Sequence, residues 1–353
     1  MGRARDIASL LTTSSVLATD SEVAALGYLT QGSASSTYTP LTSPVTSYKN
    51  KIINGGFDIW QRGTSFSTNN VYSADRWIVG FATGSFTQAG FTTGGNEIPG
   101  YEPRFYGRWT ISSNSQNYEL TQKIEGVRTF AGQTVTLSFW ARISSGTVAF
   151  GPRLVQHFGT GGSPSSLVVT GISSQTVTSS WQRFSYTVLV PSISGKTIGT
   201  NNDDSLWVSF QISNANTGAI DIWGVQLEKG SIATEFEQRH IADELRLCQR
   251  YYQTLSYIFG TCISTTTVVG RCMFPVIMRS APSTVSSTGV LNWQEDGLGS
   301  NVTQSSVGTT NNNSQPESLS TVFTNFSGLT AGRHGTLAYP ANNSNRITVS
   351  AEL

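Results

Sequence analysis

The chain has 353 residues, of which 12% are charged, and a formal net charge of +1 from 22 basic and 21 acidic side chains. Charge so sparse and so balanced excludes the strong positive field that a nucleic-acid or anionic-membrane binder needs, so neither partner is expected. It also leaves few Lys, Glu and Arg for helix faces, while Ser, Thr, Gly and Asn between short apolar runs favour strands and turns; the composition predicts an all-β protein.

Residues 1–50 read as an extended N-terminal arm with short helices. Ile7, Leu10 and Leu11 stand at helical spacing, and Thr19 with Glu22 has capping-box spacing ahead of Val23, Leu26 and Gly27. Both helices are too short to be stable alone. From Thr30 to Ser47, ten of eighteen residues are Ser or Thr, with Pro40 and Pro44 among the rest. Such a segment cannot bury enough apolar surface to fold by itself. It is either a loose linker or, the reading favoured here, an arm ordered by neighbouring chains or by a docking partner, with Ile7, Leu10, Leu11, Val23 and Leu26 as the contact residues. Asp6, Ser9, Thr12 and Thr13 interrupt any apolar core of a signal peptide. No run of about 18 apolar residues occurs, so no membrane insertion is expected.

Residues 51–237 read as a central jelly-roll β-sandwich. Val135, Leu137 and Phe139 alternate with Thr134, Thr136 and Ser138; Phe184, Tyr186, Val188 and Val190 repeat the pattern, and so do Leu206, Val208, Phe210 and Ile212. Each run has one apolar and one mostly polar face, as half-buried antiparallel strands do. A connecting helix is predicted over 238–255, with Ile241, Leu245 and Cys248 on one stripe, acidic Asp243 and Glu244 early and basic Arg246 and Arg250 late. Residues 256–353 read as a small C-terminal β-domain. Thr265–Val269 and Arg271–Met278 suggest a hairpin around Gly270, Pro275 marks the second strand as an edge or a bulge, and Arg346–Leu353 suggests a final strand. The three cysteines, Cys248, Cys262 and Cys272, match no disulfide or zinc spacing and are expected to be free thiols from a reducing cytoplasm.

Three runs carry a family resemblance. The first is Asn54-Gly55-Gly56-Phe57-Asp58-Ile59-Trp60-Gln61-Arg62-Gly63 with Ser73-Ala74-Asp75-Arg76-Trp77. The second is Gly224-Val225-Gln226-Leu227-Glu228-Lys229-Gly230 with Ala233-Thr234-Glu235-Phe236-Glu237. The third is Glu244-Leu245 with Cys248-Gln249-Arg250-Tyr251-Tyr252. Together they resemble tail fibres and other minor structural proteins of tailed bacteriophages, including marine and cyanobacterial ones. The arm, from Arg5-Asp6-Ile7-Ala8 through Tyr28 to Tyr38, and the closing Ser350-Ala351-Glu352-Leu353 are similar too. The sandwich also resembles jelly-roll carbohydrate-binding modules. The resemblance implies a virion protein made in the host cytoplasm. It would be a homotrimer joined through its arm to other virion proteins of the tail or head, and it would attach to host surface polysaccharide. A head fibre or capsid decoration protein is the alternative, and a glycan-cleaving enzyme a lesser one.

Trp140 and Trp207 stand out, because each lies on the wetter side of an alternating strand. Sugar stacking, a subunit interface or a covering loop would each explain them. Trp109, Trp181 and Trp223 are read as packing residues, Trp60 and Trp77 as anchors of the first loop, and Asp75 with Arg76 as a buried ion pair. Glu119, Glu125, Asp221 and Glu228 are the carboxylates from which a hydrolytic pair would have to come. His157, His240 and His334 lack metal-ligand spacing. No cofactor is expected; Asp203, Asp204 and Asp221 are weak candidates for a structural Ca²⁺, with a plain turn as the alternative for Asn201–Asp204.

Overall fold

The computed structural model describes residues 48–80, 83–112, 118–212, 218–288, 291–296, 301–304, 308–311, 313–338 and 346–353. The predicted helices of the arm, and with them Ile7, Leu10, Leu11, Val23 and Leu26, lie outside the described residues.

The first β-region holds thirteen strands: β1 (Ser65–Phe66), β2 (Val71–Tyr72), β3 (Trp77–Gly80), β4 (Gly84–Gly90), β5 (Phe105–Ile111), β6 (Tyr118–Glu125), β7 (Thr134–Ile143), β8 (Val148–His157), β9 (Val168–Gly171), β10 (Gln175–Val177), β11 (Gln182–Leu189), β12 (Ser205–Ile212) and β13 (Gly218–Lys229). One sheet runs β1-β4-β5-β13-β7-β11 and the other β10-β8-β12-β6-β3-β2, with β9 on β8. From β5 to β8, and again from β11 to β13, the chain passes from one sheet to the other with each strand, and every pairing is antiparallel. This is a jelly-roll sandwich. The alternating residues read from the sequence fill its interior. Phe139 lies 4.9 Å from Phe210, which stacks on Phe150 at 5.3 Å, and Leu137, Leu206 and Val208 are fully buried beside them.

The connecting helix, α1, spans Ile241–Gln249 and is shorter than the sequence predicts. His240 caps it by accepting a hydrogen bond from the Ala242 N–H. Past Arg250 the backbone turns back, with the Tyr251 N–H donating to the Cys248 carbonyl at 2.9 Å. Tyr252–Leu255 then becomes strand β14, because the far end of the chain offers it a partner: Tyr252 pairs with Ser350 and Leu255 with Ile347.

The second β-region adds β15 (Ile258–Cys262), β16 (Val268–Met273), β17 (Thr284–Thr288), β18 (Leu291–Glu295), β19 (Asn301–Gln304), β20 (Gly308–Asn311), β21 (Ser318–Thr324), β22 (His334–Ala338) and β23 (Arg346–Ser350). A seven-stranded sheet runs β19-β18-β22-β15-β16-β21-β20, and β23 lies between β14 and β17 in a small sheet. Between them sits a second hydrophobic cluster that includes Trp293, Phe323, Ile347 and Val349.

The predicted hairpin around Gly270 is corrected. Gly270 is at the middle of β16, and the turn is at residues 263–267. Gly270 pairs with Gly260, which pairs with Gly335, so three glycines form a row across the sheet. A Cβ at Gly270 would lie 2.7 Å from both Ile258 Cγ2 and Phe323 Cε2. The residue is glycine for want of space rather than to turn the chain. Nor is β16 an edge: it pairs with β15 and β21, and Pro275 falls beyond its end.

Candidate functional site

The three family-like runs and the closing residues meet in one place. Gly55 lies so close to β13 that a Cβ there would sit 2.1 Å from the Val225 carbonyl oxygen, and the Val225 N–H donates to the Gly55 carbonyl at 3.0 Å. Asn54, in a left-handed conformation, donates through Nδ2 to the carbonyls of Ile59 and Asp75, and its own backbone N–H donates to Glu244 of α1. The expected Asp75–Arg76 pair does not form. Arg76 has φ +73°, a left-handed turn, and the two side chains find different partners. Asp75 pairs with Arg62 at 2.7 Å, while Arg76 pairs with Glu352 and lies 3.4 Å from the centre of the Tyr251 ring. Arg62 also pairs with Glu352 at 2.8 Å and stacks 3.7 Å from the Tyr252 ring centre. Arg279 donates to the carbonyls of Ala351 and Glu352. Burial pushes the Asp75 carboxyl up to about 6 against the pull of Arg62, and pushes the Cys248 thiol well above its usual value. Arg62, Arg76, Asp75 and Glu352, all little exposed, join the sandwich to the C-terminal strands.

The sandwich has two outer faces, and the two flagged tryptophans lie on different ones. Trp140, on β7, pairs with Trp223 of β13 and Arg183 of β11. It packs into an aromatic layer with Phe91, Tyr101, Trp181 and Phe236, so the covering-loop explanation fits it. Here Arg142 lies 4.9 Å from the Trp181 ring centre and pairs with both Glu97 and Asp221. Trp109 and Trp223 are buried, and Trp77 is fully so; Trp60 packs on Phe66 and Phe86.

Trp207, on β12, stands half-buried on the outer face of the other sheet. Its ring stacks on His157 at 5.1 Å, and its Nε1–H donates to Ser205 Oγ at 2.8 Å. The register puts Lys123 of β6 beside it, with Nζ 5.1 Å from the ring centre. Lys123 Nζ also donates to the Leu353 carbonyl at 2.8 Å; burial lowers its pKa, Arg76 adds to the fall and Asp203 opposes it. Further along the face, Glu119 accepts hydrogen bonds from Thr121, Ser209 and Arg153. Burial raises the Glu119 pKa, but these bonds together outweigh it and leave the carboxyl below its usual range. Asn70, Ile78, Gly80 and Thr121 complete a groove of about 190 Å³ with Glu119, Lys123 and Trp207. Of these residues the sequence singles out Trp207 and, as a candidate acid or base, Glu119; that they share one groove depends on strand register, which no local motif encodes.

The four candidate carboxylates are dispersed. Glu119 and Glu125 share β6 but stand six residues apart, which at ~3.3 Å per residue is roughly 20 Å, well beyond the ~5–9.5 Å of a hydrolytic pair. Glu125 pairs with Arg250, Asp221 with Arg108 and Arg142, and Glu228 accepts from Thr234 and Gln226. The three aspartates weighed for Ca²⁺ do not converge either. Asp221 is taken up by its arginines, Asp203 accepts from the Thr160 N–H and hydroxyl, and Asp204 accepts from the Val127 N–H. Among the described residues no group of three or more His, Cys, Asp or Glu side chains could hold a metal ion. Cys248, Cys262 and Cys272 are free thiols, the first two buried. No described helix is long and apolar enough to cross a membrane.

No family model matches the sequence, and no curated protein matches it. Among solved structures, the enzymatically active domain of tailspike protein 4 of bacteriophage CBA120 is similar at 16% identity and a TM-score of 0.32, over 53% of this chain and 22% of that one. A xylan-binding domain from Paenibacillus barcinonensis is similar at 10% identity and a TM-score of 0.31, over 48% and 94%. A cyclase from Fischerella sp. TAU is similar at 13% identity and a TM-score of 0.33, over 51% and 96%.

Proposed function

We propose that this protein is a structural protein of a tailed-phage virion, a trimeric tail fibre that attaches to the host by binding surface glycan without cleaving it. The observation that carries the glycan reading is Trp207, a partly exposed indole on an outer sheet face, with Lys123 beside the ring and the Glu119–Arg153 ion pair further along the same face. An aromatic ring offers a flat apolar platform to the C–H face of a sugar, and the flanking charged groups can exchange hydrogen bonds with its hydroxyls. The groove is smaller than the roughly 300–1,000 Å³ pockets that enclose drug-sized ligands, which suits a platform touching one ring of a longer polymer. The virion and trimer parts rest on the three family-like runs. Binding without cleavage is favoured by the dispersal of the carboxylates.

The test is binding of the full-length protein to an array of bacterial surface polysaccharides, beside Trp207→Ala. The variant should lose at least tenfold in affinity for whatever the native protein binds, and long incubation with that polymer should release no new reducing ends. Undiminished binding by the variant would remove Trp207 from the site, and new reducing ends would overturn the non-enzymatic reading.

A further inference from the structure

The large apolar side chains left exposed are unevenly placed. Of the eleven among the described residues, five fall between Tyr257 and Ile277. Strands β15 and β16 put Phe259 and Met273 on the side of the seven-stranded sheet away from its core, where they are 66% and 71% exposed. Ile263 and Val269 lie on the same side and, with Phe259, line a groove of about 460 Å³. An isolated exposed side chain needs no explanation, but an apolar strip on a regular sheet face does.

The charges beside the strip indicate what covers it. Arg271 on β16 and Asp296 just after β18 line the same groove from opposite sides, with β15 and β22 between them. Three strand spacings of ~4.8 Å and a two-residue offset along the strands put their backbones roughly 16 Å apart, and among the described residues neither side chain has an ion-pair or hydrogen-bond partner. Arg271 stands directly across from Phe259, and Thr261 and His334 lie on the two strands between it and Asp296. A face that mixes apolar groups with a cation towards one side and an anion towards the other is complementary to itself. When copies meet around a common axis, the positive rim of one falls against the negative rim of the next.

We propose that this face is a self-association surface, and that its occupant is another copy of this chain. The inference takes its stoichiometry, three, from the reading above; the surface itself follows from the sheet. Phe259 then packs near the axis, and Arg271 of each copy pairs with Asp296 of its neighbour.

The experiment is sedimentation of the full-length protein, with circular dichroism as the check on folding. The native protein should sediment as a trimer. Phe259→Asp, at an exposed position, should raise the dissociation constant at least tenfold, as should Arg271→Asp and Asp296→Arg singly. The double exchange Arg271→Asp with Asp296→Arg should restore most of the affinity, a rescue that general damage to the fold cannot produce. A native monomer at high concentration would overturn both this surface and the trimer. A trimer indifferent to all these changes would overturn the surface alone. A loss of polysaccharide binding with no change in mass would assign the face to glycan instead and overturn the proposal.

Discussion

Asp75 is 1% exposed and lies between a backbone N–H and the Arg62 guanidinium. An aspartate outside the fold titrates near 3.8, and in the folded chain burial moves this one to about 6. Between those values the folded state holds a proton that the unfolded state has lost, so stability should fall as the pH rises through that window. The urea midpoint of the native protein is expected to be higher at pH 5 than at pH 7, and Asp75→Asn should reduce that difference, the rest coming from Asp58, which burial also raises to about 6; an unchanged pH dependence in the variant would refute the assignment. The same residue shows what one dimension of sequence conceals. Adjacent opposite charges suggest a pair, but the left-handed turn at Arg76 sends the two side chains to partners 13 and 276 residues away. Trp207 was legible because a large aromatic on the polar side of an alternating strand breaks the pattern. Lys123 was not, because a charged residue on an outer face fits the pattern and only register makes it the ring's neighbour; the pairing of Glu119 with Arg153 further along the face was hidden for the same reason.

At the scale of elements, strands with clean alternation declared themselves, as in β7, β11 and β12. The sequence misplaced strand ends and turns wherever a residue has two physical uses. Glycine is the clearest instance. At Gly270 it admits Phe323 and Ile258 rather than reversing the chain. Gly270→Ala should therefore cost about 1–3 kcal/mol by overpacking, whereas Val269→Ala on the outer side of the same strand should cost well under that; chemical denaturation of the two variants measures the contrast. Equal effects would mean that the core side of β16 is not tightly filled. The helix was overextended for a related reason. Tyr251 or Tyr252 would extend its apolar stripe, yet Tyr252 is claimed by β23, a strand that lies almost a hundred residues further along the sequence.

Across the whole molecule, Arg62, Arg76 and Glu352 hold the sandwich and the C-terminal strands together, within a single compact unit of residues 49–353. Arg76→Met should cost about 1–3 kcal/mol, because it leaves the buried Glu352 with Arg62 alone and also removes the contact with Tyr251. Unfolding followed by tryptophan fluorescence and by far-UV circular dichroism should give one shared transition in the native protein and separated transitions in the variant. Coincident curves of unchanged midpoint would show that the cluster holds nothing. The arrangement also has a consequence for biosynthesis. Arg62 finds Asp75 only 13 residues on, but Arg76 leaves the ribosome 276 residues before Glu352, the carboxylate it pairs with. At cellular rates of about 5–20 residues per second, that interval is on the order of tens of seconds. Throughout it this edge of the sandwich must stay hydrated and open. The edge closes only when Glu352 arrives, so a chain cut short upstream of Glu352 is left with the Arg76 guanidinium and no carboxylate to bury it against.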